Sequence, residues 1–203
     1  MAGKKRIAVL ASGRGSNFQA VLDAMRDGRI RATCVGLITD NPKAYAAERA
    51  RAADIPVTTV DYSRFASREE YEKALLRELV SCNPDLLVLA GYMRIVGREI
   101  VKEFNGRMIN IHPALLPSFP GLHGQRQALE HGVKVAGCTV HFVDENLDGG
   151  PIIVQKCVPV LEGDDEEALA ARILEQEHRC LPEAIRLFCE GRLSIVGRRV
   201  IIR

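Results

Sequence analysis

The sequence predicts a doubly wound α/β fold, in which helices cover both faces of a mostly parallel sheet. Strand-like and helix-like segments alternate through the first half of the chain. Residues 85–91 ("DLLVLAG") are nearly all apolar, as expected for a strand that is covered on both faces. A glycine-rich turn follows the first strand-like segment. In this fold class ligands bind at the carboxyl ends of the strands.

The elements of the first half are predicted from hydrophobic periodicity and from turn residues. A capping box, Ser67 followed by Glu70, marks the start of the third helix. The predicted strands are 6–12, 32–39, 57–60 and 85–91, and the predicted helices are 17–28, 44–54 and 67–81.

The second half continues with strands, a proline- and glycine-rich loop and one long helix. The last residues, "LSIVGRRVIIR", predict a hairpin that turns at Gly197. No flexible linker interrupts the pattern, so a single domain over 1–203 is expected. The predicted strands are 108–111, 134–143 and 151–160, and the predicted helices are 124–131 and 164–190.

Composition narrows the class of protein. The chain has 203 residues, 47% of them hydrophobic, and a net charge of +2, which argues against a nucleic-acid surface. The apolar run near the start is too short for a signal peptide or a membrane span. The six cysteines include no CxxC pair, which predicts buried free thiols in a reducing cytoplasm. We therefore expect a cytoplasmic protein that binds neither nucleic acid nor membrane.

The glycine-rich turn is a candidate phosphate site. Gly15, Ser16 and Asn17 lie where the first strand meets the first helix, and helix N-termini bind anions. A dinucleotide fingerprint would need glycine at position 18, which is Phe18, although Asp40 imitates the ribose-binding acid. A Walker A loop is excluded because no Gly-Lys-Ser/Thr follows. A tight turn without a ligand remains an alternative, and a phosphate monoester is favoured.

Asn110, His112 and Asp148 are the candidate catalytic residues. Asn110 and His112 are two apart at a strand end and therefore point to the same side. Asp148 lies in a loop that turns sharply at Gly-Gly-Pro, and its carboxylate would raise the pKa of His112. The Asn and His donors could stabilise an oxyanion during direct attack by an amine. A satisfied structural pair remains the alternative, and the histidine spacings predict no metal site.

Glu177 is a third kind of candidate. It lies on the apolar stripe of the predicted last helix, between Ile173 and Leu181. A buried carboxylate needs a partner. That partner could be an internal arginine, or the cation or hydroxyl of a ligand.

These motifs together resemble phosphoribosylglycinamide formyltransferases, the folate-dependent enzymes of de novo purine synthesis. The resemblance covers most of the chain, from residue 6 to residue 193, with the motifs in family order. Asn-x-His with Leu-Asp-Gly-Gly is shared with other 10-formyltetrahydrofolate enzymes, and "GRGSN" and "HPALLPSFPGLH" narrow the match. The motifs are "GRGSN", "LAGYMRI", "NIHPALLPSFPGLHGQRQALE", "HFVDENLDGGPIIVQ" and "EQEH".

The resemblance implies a reaction and the residues that perform it. The amine of the glycinamide ribonucleotide would attack the formyl carbon of 10-formyltetrahydrofolate. Asn110 and His112 would stabilise the oxyanion, while Asp148 would orient and charge His112 and assist proton movement through a bound water. The implied ribonucleotide contacts are Gly15, Ser16, Asn17 and Glu177. The implied folate contacts are Arg68, Met93, Arg94, Ile95, Val96, Asn110, Asp144, Glu145, Asn146, Leu147 and Asp148.

The resemblance also implies an organisation and a set of partners. Residues of about 1–105 would form the phosphate-binding half, and about 106–203 the folate-binding and catalytic half, with a mobile loop at 113–125. Small-molecule substrates, no metal, and a monomer or weak homodimer are expected. A formyltetrahydrofolate hydrolase, in which water replaces the amine, is the first rival. A methionyl-tRNA formyltransferase would need a basic domain for RNA, and a non-catalytic nucleotide-binding module leaves the Asn110, His112 and Asp148 set unexplained.

Overall fold

The computed structural model describes residues 3–203. The backbone divides into two compact units, of which the first ends at Ile109 and the second is Asn110–Arg203. Within the described residues, no helix combines the length and the apolar character that a membrane crossing requires.

The first unit alternates strands and helices, with a 3₁₀ turn at Tyr62–Arg64. Its elements are β1 (Lys5–Leu10), α1 (Ser16–Arg26), β2 (Ala32–Thr39), α2 (Tyr45–Ala52), β3 (Val57–Thr59), α3 (Arg68–Ser81), β4 (Leu86–Leu89) and α4 (Arg98–Glu103).

The strands of the first unit are parallel, and β1 lies at the centre. It pairs with β2 on one side and with β4 on the other, and β2 pairs in turn with β3. The strand order therefore reverses direction at β1, which is the point where doubly wound sheets bind ligands. Apolar side chains on both faces of β1 and β4 are fully buried, among them Leu10 and Leu87.

The second unit combines antiparallel strands with one long helix. The division between the units crosses β5 (Met108–His112), and the remaining elements are α5 (Gly124–Glu130), β6 (Val135–Phe142), β7 (Ile152–Pro159), α6 (Glu166–Cys189), β8 (Leu193–Val196) and β9 (Arg199–Ile202). The β6–β7 and β8–β9 pairs are antiparallel. Helix α6 contacts β6 and β7, and its apolar face forms the core of this unit.

Most sequence-predicted elements are present, with ends shifted by up to about two residues. The Ser67 side chain caps α3 by accepting a hydrogen bond from the Glu70 N–H at 3.2 Å, as the capping box predicts. Helix α4 and the 3₁₀ turn were not predicted from the sequence. Helix α4 has only six residues and begins after Gly97, which has no side chain for capping, so neither periodicity nor a cap signalled it.

The cysteine prediction was partly wrong. All six cysteines are free, and Cys138 and Cys180 are buried as expected. Cys157, however, is exposed, because its position in β7 directs the side chain to solvent. Cys157 is the last of three consecutive exposed residues of β7, Gln155, Lys156 and Cys157, and an apolar count along the sequence does not distinguish them.

Candidate active site

Strand β5 delivers two polar side chains to one place, as the spacing predicted. His112 is its last residue and is 4% exposed, while Asn110 is half-buried. The apolar residues between and before them, Ile109 and Ile111, are buried. The polar groups therefore lie at the end of a buried strand and must be satisfied by neighbours.

His112 lies between two hydrogen-bond acceptors. Its Nε2 is 2.9 Å from the Phe119 carbonyl oxygen, and its Nδ1 is 3.4 Å from Oδ2 of Asp148. Because a carbonyl only accepts, Nε2 carries a proton, and a neutral ring then has a bare Nδ1 facing the carboxylate. Only the imidazolium donates to both neighbours. These two acceptors stabilise the imidazolium when it forms.

Asp148 is held in place by the backbone around it. Its φ of 50° lies in the left-handed region, and the Gly121 N–H donates to its Oδ2 at 2.8 Å. Two residues later the chain passes so close to β6 that a Cβ on Gly150 would fall 1.8 Å from the Phe142 carbonyl oxygen. Glycine is therefore a steric requirement of the loop that presents Asp148.

Burial outweighs the effect of Asp148 on the pKa of His112. Loss of hydration lowers the pKa of His112 below its ordinary value and outweighs the Asp148 carboxylate and the Phe119 carbonyl, which raise it. Burial also acts to raise the pKa of Asp148, but hydrogen bonding and the nearby His141 ring lower it overall. The Asp148 carboxylate therefore acts in the predicted direction, but burial outweighs it and the net pKa of His112 is lowered. At neutral pH the pair is mostly a carboxylate beside a neutral ring.

A second buried histidine completes the group. His141, at the end of β6, is 2% exposed, and its Nδ1–H donates to the Phe142 carbonyl oxygen at 2.8 Å. Its Nε2 then accepts from the Asn110 Nδ2 at 3.3 Å and lies 3.7 Å from the Asp148 Oδ1. His141 thus orients the Asn110 amide so that its nitrogen faces the His141 ring.

His141 was not among the predicted site residues, since the histidine spacings had been interpreted only with respect to metal binding. The sequence does contain a pattern that indicates His141. Thr139 and His141 are two residues apart in β6, as Asn110 and His112 are in β5. Polar residues two apart near the end of a buried strand share one face. The same reasoning that found the first pair would have found the second.

Thr139 fixes the loop that follows β5. This buried hydroxyl donates to the Ala114 carbonyl at 2.7 Å and accepts from the Leu116 N–H at 3.0 Å. Gln155 of β7 donates to both the Thr139 hydroxyl and the Leu116 carbonyl, each at 2.9 Å. The loop that carries Phe119 to His112 is therefore anchored at its start by side chains of the sheet.

In the first unit, the glycine-rich turn has the predicted position at the N-terminus of α1. Gly15 is the N-cap with a φ of 68°, and it has no side chain that could accept from the first turn. A Cβ at Gly15 would lie 2.7 Å from the Cβ of Ala46 in α2. Close packing of α2 therefore requires this glycine. Ser16 is half-buried and Asn17 is buried, both in the first turn of α1.

The residues implied for folate occur in both units. In the first unit Met93 and Ile95 are 63% and 61% exposed, and the Arg68 Nη2 donates to the Ile95 carbonyl at 3.4 Å. Arg68 also pairs with Glu72 at 2.6 Å, and Arg94 pairs with Asp40. Val96 is half-buried.

In the second unit, the loop from Asp144 to Asp148 supplies the other implied folate residues. Glu145, Asn146 and Leu147 are exposed, and Oδ1 of Asp144 accepts from the Asn146 N–H at 2.8 Å.

Two remaining sequence hypotheses concern carboxylates. Glu177 is buried at 7% exposure, as its place on the apolar face of α6 predicted. The pKa of Cys138 is raised by its hydrogen bond with Cys180 and by burial, and to a smaller extent by the charge of Glu177. Asp40, the acid that imitated a dinucleotide site, is buried and paired with Arg94 at 2.7 Å. That carboxylate is engaged inside the first unit, which argues against a ribose role. No three His, Cys, Asp or Glu side chains of residues 3–203 group as a metal site would require.

The pKa of His112 can be measured directly. We expect its ring to titrate in NMR spectra below the value of about 6.5 that is typical of histidine, because burial disfavours the charged form. In Asp148→Asn the pKa is expected to fall further, since the carboxylate that opposes burial is lost. His112→Gln assigns the signal by its disappearance. A pKa that rises in Asp148→Asn would contradict the assignment of charges.

Comparison with known proteins agrees with this architecture. The family model described as formyl transferase matches residues 5–185. The chain is 47% identical over 189 residues to the phosphoribosylglycinamide formyltransferase of Escherichia coli (strain K12), covering 93% of this chain and 89% of that protein. A solved structure of glycinamide ribonucleotide transformylase 1 from Symbiobacterium toebii superposes with a TM-score of 0.97 at 54% identity, covering 100% of this chain and 95% of that chain. The predicted α/β fold class is confirmed.

Larger relatives contain the same region. The chain is 49% identical over 190 residues to the trifunctional purine biosynthetic protein adenosine-3 of Drosophila melanogaster. The match covers 93% of this chain but 14% of that protein. The chain therefore corresponds to one segment of a much longer relative and to nearly all of the bacterial ones.

Proposed function

The chain belongs to the formyl transferase family, and we propose that it transfers the formyl group of 10-formyltetrahydrofolate to the amine of N1-(5-phosphoribosyl)glycinamide. The products are formylglycinamide ribonucleotide and tetrahydrofolate, in de novo purine biosynthesis. The observation that carries this proposal is the group of Asn110, His112 and Asp148, with two donors beside an ionised carboxylate. The names of the bacterial relatives support the choice of substrate.

The reaction is a direct transfer. The amine nitrogen attacks the formyl carbon, and the carbonyl electron pair moves onto oxygen. Collapse of this tetrahedral oxyanion breaks the bond to N10 of the folate, which takes up a proton while the attacking nitrogen loses one. Two hydrogen-bond donors aimed at the oxyanion lower the barrier.

Asn110 supplies the first donor. Its Nδ2 has two N–H groups, and His141 accepts one of them at 3.3 Å. The second N–H is available to the formyl oxygen. The His141 ring thus holds the amide in the orientation that the reaction requires.

His112 supplies the second donor and a proton acceptor. Its Nε2–H exchanges the Phe119 carbonyl for the formyl oxygen, which makes the loop carrying Phe119 part of the reacting site. Its Nδ1, bare in the neutral ring, takes up the proton lost by the amine, directly or through a water. Asp148 at 3.4 Å then stabilises the imidazolium. Charging of His112 belongs to the reaction and not to the resting protein.

Substrate binding follows the implied contacts. The phosphate of the ribonucleotide binds the N-terminus of α1 at Gly15, Ser16 and Asn17, where N–H groups and the helix dipole favour an anion. Glu177 binds the glycinamide portion. The folate binds the residues already described, with Met93 and Ile95 giving exposed apolar contacts and Arg68 meeting its acidic tail.

Ser16→Ala tests the phosphate site. We expect the KM for the ribonucleotide to rise by about tenfold, the effect of losing one hydrogen bond to a charged group, with the KM for the folate unchanged. Ser81→Ala, at the exposed end of α3, removes a hydroxyl that donates to the Glu78 carbonyl at 2.8 Å. Steady-state kinetics should separate the two variants. A change confined to the KM for the folate would show that this turn does not bind the phosphate.

The decisive experiment follows consumption of 10-formyltetrahydrofolate by the purified protein, with and without the ribonucleotide. We expect consumption only when the ribonucleotide is present, with formylglycinamide ribonucleotide as the product. Equal consumption without it, with release of formate, would identify a hydrolase. No consumption in either case would exclude the whole class of reaction.

The wider setting of the activity is also proposed. The protein acts in the cytoplasm on small molecules, as a single formyltransferase domain and as a monomer or weak homodimer. Six free thiols support a reducing compartment.

A further inference from the structure

Four consecutive residues after β4 are each held by a different part of the first unit. Residues 92–95, "YMRI", are named here the 92–95 segment. The Met93 N–H donates to the Ser12 hydroxyl at 2.9 Å, and the Arg68 guanidinium donates to the Ile95 carbonyl at 3.4 Å. The Tyr92 hydroxyl is hydrogen-bonded to the Tyr71 hydroxyl of α3. The backbone of the segment is therefore fixed at several points.

Arg94 is the most strongly held of the four. Its Nε donates to Oδ2 of Asp40 at 2.7 Å, and its guanidinium lies 3.5 Å from the centre of the Tyr62 ring. The Asp40 side chain is 5% exposed, whereas that of Arg94 is 37% exposed. Oδ1 of Asp40 has no hydrogen-bond partner within residues 3–203. The buried carboxylate thus depends on the arginine, and the arginine is drawn inward by charge and by the ring.

Tyr62 is itself supported. Its ring meets the edge of Tyr71 at 4.9 Å between centroids, and Phe65 packs against Tyr71 at 5.6 Å. Tyr71 is buried, and burial raises its pKa to about 12, so its hydroxyl stays protonated and keeps the bond to Tyr92. One aromatic cluster therefore supports both Tyr92 and Arg94.

The consequence is an alternation along the segment. Tyr92 and Arg94 are anchored inward, whereas Met93 and Ile95 project outward at 63% and 61% exposure. Two exposed apolar side chains on a rigid backbone suit a flat heteroaromatic ligand, which needs apolar contact on its face and backbone groups at its edge. A mobile segment would lose conformational entropy when it bound such a ligand. The 92–95 segment is already ordered by its contacts, so this cost is not paid on binding.

We propose that Asp40 and Tyr62 are positioning residues for the folate substrate, because they hold Arg94 and thereby fix the 92–95 segment in its binding shape. This inference rests on the proposed function. Neither residue contacts the reacting atoms, so their effect is expected on folate affinity and not on the chemical step.

Asp40→Asn tests the proposal. The change removes the charge but keeps a side chain of the same size that can still accept from Arg94. We expect the dissociation constant of tetrahydrofolate, measured by calorimetry, and the KM for 10-formyltetrahydrofolate to rise about tenfold, as for loss of one charge-assisted hydrogen bond. The kcat and the KM for the ribonucleotide should not change. Tyr62→Leu should weaken folate binding in the same way, to a smaller extent, and serves if Asp40→Asn does not fold.

Two controls separate positioning from general damage. Asp85→Asn removes an ion pair with Lys5 at 3.2 Å. This pair lies at the N-terminal ends of β1 and β4, whereas the 92–95 segment follows the C-terminal end of β4. The variant should leave tetrahydrofolate affinity unchanged. In an Arg94→Met background, Asp40→Asn should cause no further loss, since the two residues then no longer interact.

The outcomes distinguish the inference from the function on which it rests. Wild-type affinity in both Asp40→Asn and Tyr62→Leu would overturn the positioning role while the transfer activity stands. Equal losses in kcat and in both KM values would also overturn it, because they indicate general disruption. A wild-type protein that neither binds tetrahydrofolate nor transfers the formyl group would overturn both proposals.

Discussion

Asp148→Asn is expected to keep the fold and to lower kcat by about 10²–10⁴-fold, because the imidazolium that forms on His112 loses its stabilising charge. The Gly121 N–H, now 2.8 Å from Asp148 Oδ2, can still donate to the amide oxygen of asparagine. The loop should therefore stay in place. Both KM values should change little, since the interaction is made chiefly in the transition state. Rapid-quench measurement of a single turnover would report the chemical step.

Stability gives an independent check on this variant. The pKa of Asp148 is lowered in the folded protein, so its carboxylate stabilises the fold above a pH of about 4, and this contribution is lost as the pH falls through the lowered pKa. Asp148→Asn should therefore be less stable than wild type at neutral pH, with the difference shrinking in acid. Thermal melts across this range measure it.

A matched control comes from the same unit. Asp164 is also a carboxylate with a lowered pKa, of about 2, and it pairs with Arg172 at 2.7 Å. Asp164→Asn should affect stability but not kcat. Wild-type turnover in Asp148→Asn would remove Asp148 from the mechanism, and slow turnover in both variants would point to general disruption.

Asn110→Ala is expected to lower kcat by about 10²–10³-fold, the usual effect of removing one oxyanion donor. The loss should appear equally in kcat and in kcat/KM, because the amide acts on charge that develops only in the transition state. Asn105→Ala removes the same group from an exposed position five residues earlier and should be silent. Single-turnover rates for the two variants give the comparison.

One result would contradict the role of Asn110 as an oxyanion donor. If Asn110→Ala raised the KM for the ribonucleotide and left kcat intact, the amide would bind substrate and would not stabilise the oxyanion. A His141→Gln variant is informative beside it, since the Asn110 amide now donates to His141 Nε2 at 3.3 Å. Loss of activity there without loss of binding would show that the orientation of the amide matters.

The sequence predicted those parts of the site that depend on short-range periodicity. Asn110 and His112 were found because residues two apart in a strand share a side, and their partner Asp148 was found through its glycine-rich loop. Glu177 was found because a charge stood on the apolar stripe of a helix. Family motifs supplied the substrate, which no local pattern contains.

The remaining properties depend on neighbours that are distant in the chain. The lowered pKa of His112 results from burial, which balances many contacts against one carboxylate. Gly15 was attributed to an anion, but the steric requirement comes from Ala46, 31 residues later. The engagement of Asp40 by Arg94 joins two strand ends that lie 54 residues apart. Spacing along the chain cannot show any of these.

The tight passage of Gly150 beside Phe142 has a consequence for how this loop tolerates variation. Even alanine, the smallest substitution, would place a carbon inside the volume of a carbonyl oxygen and push the neighbouring backbone away. Gly163 and Gly191 have no heavy atom within 4 Å of where a Cβ would stand, so replacements there are restricted by their positive φ of 84° and 67° and not by contact. A saturation library should therefore be depleted of every replacement at Gly150, although the residue takes no part in the chemistry. Intolerance there would reflect a lack of space and not a reactive group.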